Sequence, residues 1–111
     1  MTTPDIKQGP KPVKRIEIIV PAVELRKILK VLDRIGVGYS IFRNVMGRGN
    51  CGQSVDDFDL GTDLANDYIL TLCDRDQEEQ IVEGIRPLLE RYGGVCWTSD
   101  ANWVIHTLSC E

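Results

Sequence analysis

No apolar run in this chain approaches the length a membrane-spanning helix requires, and residues 1 to 14 lack the hydrophobic centre of an export signal. That opening stretch carries Pro4, Pro10 and Pro12 among Lys7, Lys11 and Lys14, and reads as a flexible tail of a soluble, cytoplasmic protein. Histidine is nearly missing, with His106 alone, and Cys51, Cys73, Cys96 and Cys110 form no C-x-x-C pair, so a structural zinc site is not expected. Without an export signal the even cysteine count implies no disulfides, and Cys73 and Cys96 read as small buried strand residues. A Ser-His-Asp set, a nucleophile elbow and a metal-binding cluster are all lacking, which argues against an enzyme. Excess positive charge is lacking too: a formal charge of −4 removes the field that non-specific nucleic-acid binding needs.

What is present is one domain of ordinary globular composition, 42% hydrophobic and 27% charged over 111 residues. A chain this short buries only about 60–65% of its unfolded surface when it folds alone, so an oligomer would relieve the shortage. Arg15 to Val20 is β-branched and apolar on both parities, as in a strand covered on two faces, and Pro21 ends it. Leu25, Ile28, Leu29, Leu32 and Ile35 fall at helical spacing before a stop at Gly36. Tyr39 to Val45 is a second strand and Tyr68 to Cys73 a third. Asp76 and Glu79 suggest a capping box for a second helix with Ile81, Ile85, Leu88, Leu89 and Tyr92 on its buried stripe, although Gly84 and Pro87 weaken that segment. Gly93 and Gly94 end the helix; Val95 to Thr98 is a fourth strand, and Ser99 to Asn102 reads as a turn before Trp103 to Ile105.

The order β, α, β, β, α, β is the ferredoxin-like plan, an α+β fold with a four-stranded antiparallel sheet covered by two helices on one face. Both parities of the strands are apolar, with Ile16, Ile18 and Val20 alternating with Ile19, and Tyr68, Leu70 and Leu72 with Ile69. Covering the second face corresponds to roughly 10 kcal/mol of gross transfer free energy, and association through the sheets is expected.

Between the second and third strands lies a glycine-rich stretch, Met46 to Gly52, and then an acidic one. Gly47, Arg48 and Gly49 suit an anion, because glycines let backbone N–H groups approach closely and arginine adds a fork of donors; a plain hairpin loop is the alternative. Arg43, beside Asn44 at a strand end, is placed to hold bicarbonate or phosphate, or else is a solvated charge. Ser40 and Tyr39 could face a ribose or base, with sheet core the alternative for Tyr39. Asn50 to Asp67 holds Asp56, Asp57, Asp59, Asp63 and Asp67 with no Lys or Arg, a long loop that is either functional or merely solvated. Adjacent Asp56 and Asp57 do not make a defined Mg²⁺ site.

These residues resemble the PII superfamily, and within it the PII-like branch linked to inorganic carbon uptake. That branch has a Gly-Tyr-Thr segment leading to Gly-Lys-Gly-Ser-Arg and Ser-Gly-Gln. Here Gly38, Tyr39 and Ser40 lead to Gly47, Arg48, Gly49 and Asn50, then Gly52 and Gln53. Asn50 and Cys51 stand where the branch has Ser-Arg, which removes a phosphate-contacting arginine. The end, Leu108, Ser109, Cys110 and Glu111, lacks the glycine-rich two-cysteine loop of transporter-associated members, and both departures point toward the carboxysome-associated PII-like proteins.

The resemblance implies a homotrimeric regulatory domain over 15–108, without catalytic residues or a catalytic cofactor, in the bacterial cytoplasm and associated with carboxysomes. Its ligands would be ADP or AMP, with ATP and cyclic AMP as further candidates, and bicarbonate. They would sit in clefts between subunits, near Ser40, Gly47, Arg48, Gly49, Asn50, Arg91, Gly94, Trp97 and His106, with Arg43 and Asn44 holding the anion. A long T-loop at about 46–67, with Asp56, Asp57, Phe58 and Asp59, would touch a transporter or carboxysome-related partner and so regulate inorganic carbon uptake or fixation. A slow nucleotide or acyl-phosphate hydrolase and a metal-tolerance-type trimer are the competing readings of the same fold.

Overall fold

The computed structural model describes residues 10–47 and 65–104, together with the backbone of two short strands at 6–7 and 106–107. The central strand is β1, Lys11–Pro21; it is followed by a short 3₁₀ turn and helix α1, Leu25–Ile35. Strands β2, Ser40–Val45, and β3, Asn66–Cys73, come next, then helix α2, Glu78–Tyr92, and strand β4, Val95–Trp103. All ladders are antiparallel and the strand order is β2-β3-β1-β4, which is the ferredoxin-like arrangement. Ile6–Lys7 and His106–Thr107 form a separate two-residue ladder.

One parity of each strand faces the helices. Ile16, Ile18 and Val20 of β1 and Ile69 and Cys73 of β3 are buried with Leu25, Ile28, Val31 and Leu32 of α1 and Ile81 and Ile85 of α2. Each such side chain contributes about 1.5–3 kcal/mol of gross burial. The helices pack closely enough that a Cβ on Gly84 would stand 2.7 Å from Val31 Cγ1, so the residue that weakens α2 locally is the one that lets it approach α1. Pro87 lies inside α2, which runs past it to Tyr92.

Three boundaries differ from those the sequence suggests. β1 starts at Lys11, so the last residues assigned to the tail are paired with Trp103 to Asp100, and Val13 is buried. β4 continues through Ser99 to Asn102, where a turn is expected: the polar side chains find partners across the ladder, Lys14 Nζ lying 2.7 Å from Asp100 Oδ1 and Arg15 Nε donating to Ser99 Oγ at 3.1 Å. The capping box is formed by Asp74 and Gln77, ahead of a 3₁₀ turn at Arg75–Gln77, in place of Asp76 and Glu79.

The opposite face carries Phe42, Tyr68, Leu70, Leu72, Ile19, Val95 and Trp97, placed there by the pairing register. Phe42, Val95 and Trp97 are 50%, 54% and 43% exposed. A contiguous apolar patch of this kind marks an interaction surface.

Candidate functional site

The end of β2 departs from regular pairing. Phe42 pairs with Tyr68 and Val45 with Asn66, so Arg43 and Asn44 together oppose Asp67, a β-bulge of two residues against one. Asn44 takes a left-handed conformation, φ 62°. Its backbone N–H donates to Asp67 Oδ1 at 3.1 Å, which fixes the bulge. Arg43 Nε lies 3.0 Å from Asp67 Oδ2, an ion pair between a side chain 62% exposed and one 0% exposed. That contact lacks hydrogen-bond alignment, and Oδ2 accepts no hydrogen bond among the described residues. Asp67 therefore sits in β3 opposite Val20, and not in the acidic loop to which spacing assigns it. Charge here is local: a buried carboxylate, an exposed guanidinium beside it, and Gly47 four residues beyond Arg43.

A second feature lies where α2 returns to the sheet. Gly94 has φ 124°, and a Cβ there would come 2.6 Å from the Ile19 carbonyl oxygen, so only glycine lets this connection pass the end of β1. Between α2 and β4 opens a cavity of about 590 Å³ lined by Glu79, Glu83, Arg86, Leu89, Gly94 and Trp97, among others. Glu78 and Glu90 also line it, and Arg86 already lies 3.1 Å from Glu83, so its rim is the wrong sign for a phosphate. Burial pushes the Cys96 thiol in this cavity, and the Cys73 thiol in the core, up to about 11. Both stay protonated at neutral pH and are poor nucleophiles.

On the open face Ser40 pairs with Leu70, Leu70 with Glu17, and Glu17 with Trp97, so Ser40 and Trp97 share one cross-strand row. They occupy opposite edges of the sheet, three strand spacings or about 14 Å apart. One subunit thus does not bring Ser40 and Trp97 together. Arg91 is exposed at the end of α2, its guanidinium 5.3 Å from the Tyr92 ring. Tyr39 packs against the core and donates its hydroxyl to Asp33 at 3.0 Å. Arg48, Gly49, Asn50, Asp56, Asp57, Phe58 and Asp59, and the side chain of His106, lie outside the described residues. Among the described residues no group of three His, Cys, Asp or Glu side chains could hold a metal ion, and no helix is long and apolar enough to cross a membrane.

Residues 13–107 match the nitrogen regulatory protein P-II family. The chain belongs to that family. P-II proteins are regulatory proteins, and the ferredoxin-like sheet described above is their fold. Among solved structures, CPII of Thiomonas intermedia K12, a nitrogen regulatory PII-like protein, is 27% identical, with a TM-score of 0.77 over 88% of this chain and 93% of that one; it was solved bound to ADP, AMP and bicarbonate. CPII bound to ADP and bicarbonate superposes with a TM-score of 0.74, at 27% identity over 88% of this chain and 94% of that one, and CPII was also solved with ADP, AMP and acetate. A PII-like signalling protein of Thermus thermophilus, 16% identical over 87% of this chain and 94% of that one, shares the fold with a TM-score of 0.68. No curated protein matches the chain.

Two residues of this P-II protein escape sequence reasoning. Asp67 looks like one more loop aspartate, although its alternation with Ile69, Thr71 and Cys73 is the signal that it belongs to a strand. Glu17 sits among apolar neighbours, and there it accepts the Tyr68 hydroxyl and lies 3.4 Å from Arg15.

Proposed function

We propose that this PII-like protein senses adenine nucleotide together with bicarbonate, in clefts formed between the subunits of a homotrimer. ADP or AMP is the preferred nucleotide, ahead of ATP and cyclic AMP, and Arg43 with Asn44 holds the anion. The glycine-rich turn at Gly47, Arg48, Gly49 and Asn50 takes the phosphates, and a neighbouring subunit brings Arg91, Gly94, Trp97 and His106 to the same cleft. Trp97 and Ser40 standing at opposite edges of one sheet supports a site completed by two subunits, and the exposed apolar face supports their association. The observation that carries the reading is the bulged end of β2, where an exposed guanidinium is held beside the start of the glycine-rich turn. This occurs in a chain that superposes over 88% of its length on a relative bound to ADP, AMP and bicarbonate.

Occupancy of the cleft is passed on through the segment between β2 and β3, with Asp56, Asp57, Phe58 and Asp59 touching a transporter or carboxysome-related partner. The output is control of inorganic carbon uptake or fixation in the bacterial cytoplasm, at or near carboxysomes. Titration calorimetry with AMP, ADP, ATP and cyclic AMP, each with and without bicarbonate, tests the ligand half. Nucleotide uptake strengthened by bicarbonate is the expected result. Light scattering tests the assembly: a mass of three subunits is expected, and a lone subunit at micromolar concentration with no adenylate uptake would end this reading.

A further inference from the structure

Holding an anion with Arg43 leaves the chemistry of Asp67 unused. Its Oδ1 is occupied by the Asn44 amide, while Oδ2, fully buried, has an ion-pair partner but no hydrogen-bond donor among the described residues. An ionised aspartate only accepts and a guanidinium only donates. Once the exposed Arg43 side chain pivots, the pair can give a ligand both kinds of contact: N–H donors on Arg43, and on Asp67 an acceptor that is buried at rest and unfilled among the described residues. We infer that Asp67 is the specificity-determining residue of the anion site, accepting a hydrogen bond from the proton of a bound oxyanion and so selecting bicarbonate over anions without a proton. The inference rests on the proposed bicarbonate reading and adds to it the group that tells one anion from another.

Bicarbonate is a planar monoanion with two acceptor oxygens and one O–H. Nitrate has the same shape and charge with no proton, and acetate puts a methyl group where the hydroxyl would be. Against a buried carboxylate oxygen, either replacement leaves an acceptor unsatisfied and sets oxygen against oxygen or methyl against charge. A site built around such a hydrogen bond rejects the analogue that lacks it far more strongly than an apolar pocket rejects a missing methylene. Discrimination of this kind is a ratio of affinities and not an exclusion, so an anion without the proton still enters when it is abundant. The acceptor is also preorganised. Asp67 is fixed by the β3 ladder and by the bulge, whereas Arg43, 62% exposed, is the partner with room to pivot and admit the ligand.

The test uses the full chain saturated with ADP and titrates bicarbonate, nitrate and acetate by calorimetry. Wild-type protein should bind bicarbonate about 10- to 100-fold more tightly than nitrate or acetate, the range expected when one buried acceptor is left unsatisfied. Asp67→Asn keeps an oxygen for the Asn44 amide and replaces Oδ2 with a donor, so the preference should vanish or reverse toward nitrate and acetate. Equal wild-type affinities overturn the inference even if Asp67→Asn fails to fold, and Asp67→Ser, which also removes the Oδ2 acceptor, is the second variant that ties a wild-type preference to this residue. Equal affinity for the three anions in wild-type protein, or an unchanged preference in folded Asp67→Asn, would overturn this inference and leave the sensor reading in place. ADP binding with no heat from any anion would refute the bicarbonate reading and this inference with it.

Discussion

Tyr68 donates its hydroxyl to the carboxylate of Glu17 across the open face of the sheet, while Phe42 stacks on the same ring with centroids 5.3 Å apart. A carboxylate thus lies within an apolar field and is tied to it by a phenol. Removing the hydroxyl in Tyr68→Phe leaves Glu17 short of one donor wherever that face is covered by another subunit. Assembly should weaken by about 1–3 kcal/mol while the isolated subunit stays folded, and sedimentation on dilution reads the difference.

Arg43→Ala removes the charge that faces buried Asp67. The uncompensated carboxylate should destabilise the fold by up to about 3 kcal/mol, at the low end for a broken buried pair because Arg43 is itself largely exposed. Urea unfolding measures it, and Arg43→Lys should recover part of the loss.

Gly94→Ala forces a Cβ toward the Ile19 carbonyl oxygen at a positive φ, so both close approach and backbone strain act against it. A loss of about 2 kcal/mol or more is expected, seen as a lower urea midpoint at unchanged slope. A variant as stable as the parent would mean that the α2–β4 connection can relocate without cost.

Arg48→Ala should weaken phosphate-bearing adenylates more than adenosine, since a guanidinium recognises the phosphates and not the base. Equal losses for both in titration calorimetry would remove Arg48 from the ligand cleft.

Burial pushes the Cys73 and Cys96 thiols up to about 11 from an ordinary 9, and its hydrogen bond to Glu17 pushes the Tyr68 phenol up. In each case the native state binds the proton more tightly than the unfolded chain does. The corresponding stability is complete below about pH 9 and is lost as pH rises through the native values, so unfolding free energy should fall between about pH 9 and 11. At pH 8, site-resolved mass spectrometry after iodoacetamide treatment should find both cysteines slow to alkylate.

Much of this fold is legible in the residues themselves. The helical spacing of Leu25, Ile28 and Leu32 and of Ile81 and Ile85, and the double-sided apolar strands, carry enough burial to define the element order. Local signals fail where a partner strand overrules them. Ser99 to Asn102 has the composition of a turn, yet pairs with Arg15 to Pro12, and Lys14 and Arg15 supply what its side chains need. The same holds for the site. Arg43 and Asn44 can be picked out as a strand-end cation and its neighbour, but the carboxylate facing them comes from 23 residues away and looks like one of a run of loop acids. Only the bulged register between β2 and β3 brings it there.

Strand β1 has its own consequence for how the protein is made. It is synthesised before the other three strands of its sheet and lies in the middle of them, yet one of its neighbours is β4, with Lys11 opposite Trp103. A nascent chain on the ribosome therefore holds its central strand half-zipped until β4 has emerged. Closing so long a loop is slow and exposes an edge meanwhile. Completion of the sheet waits on the last strand to be made, and β1 keeps one open edge until then.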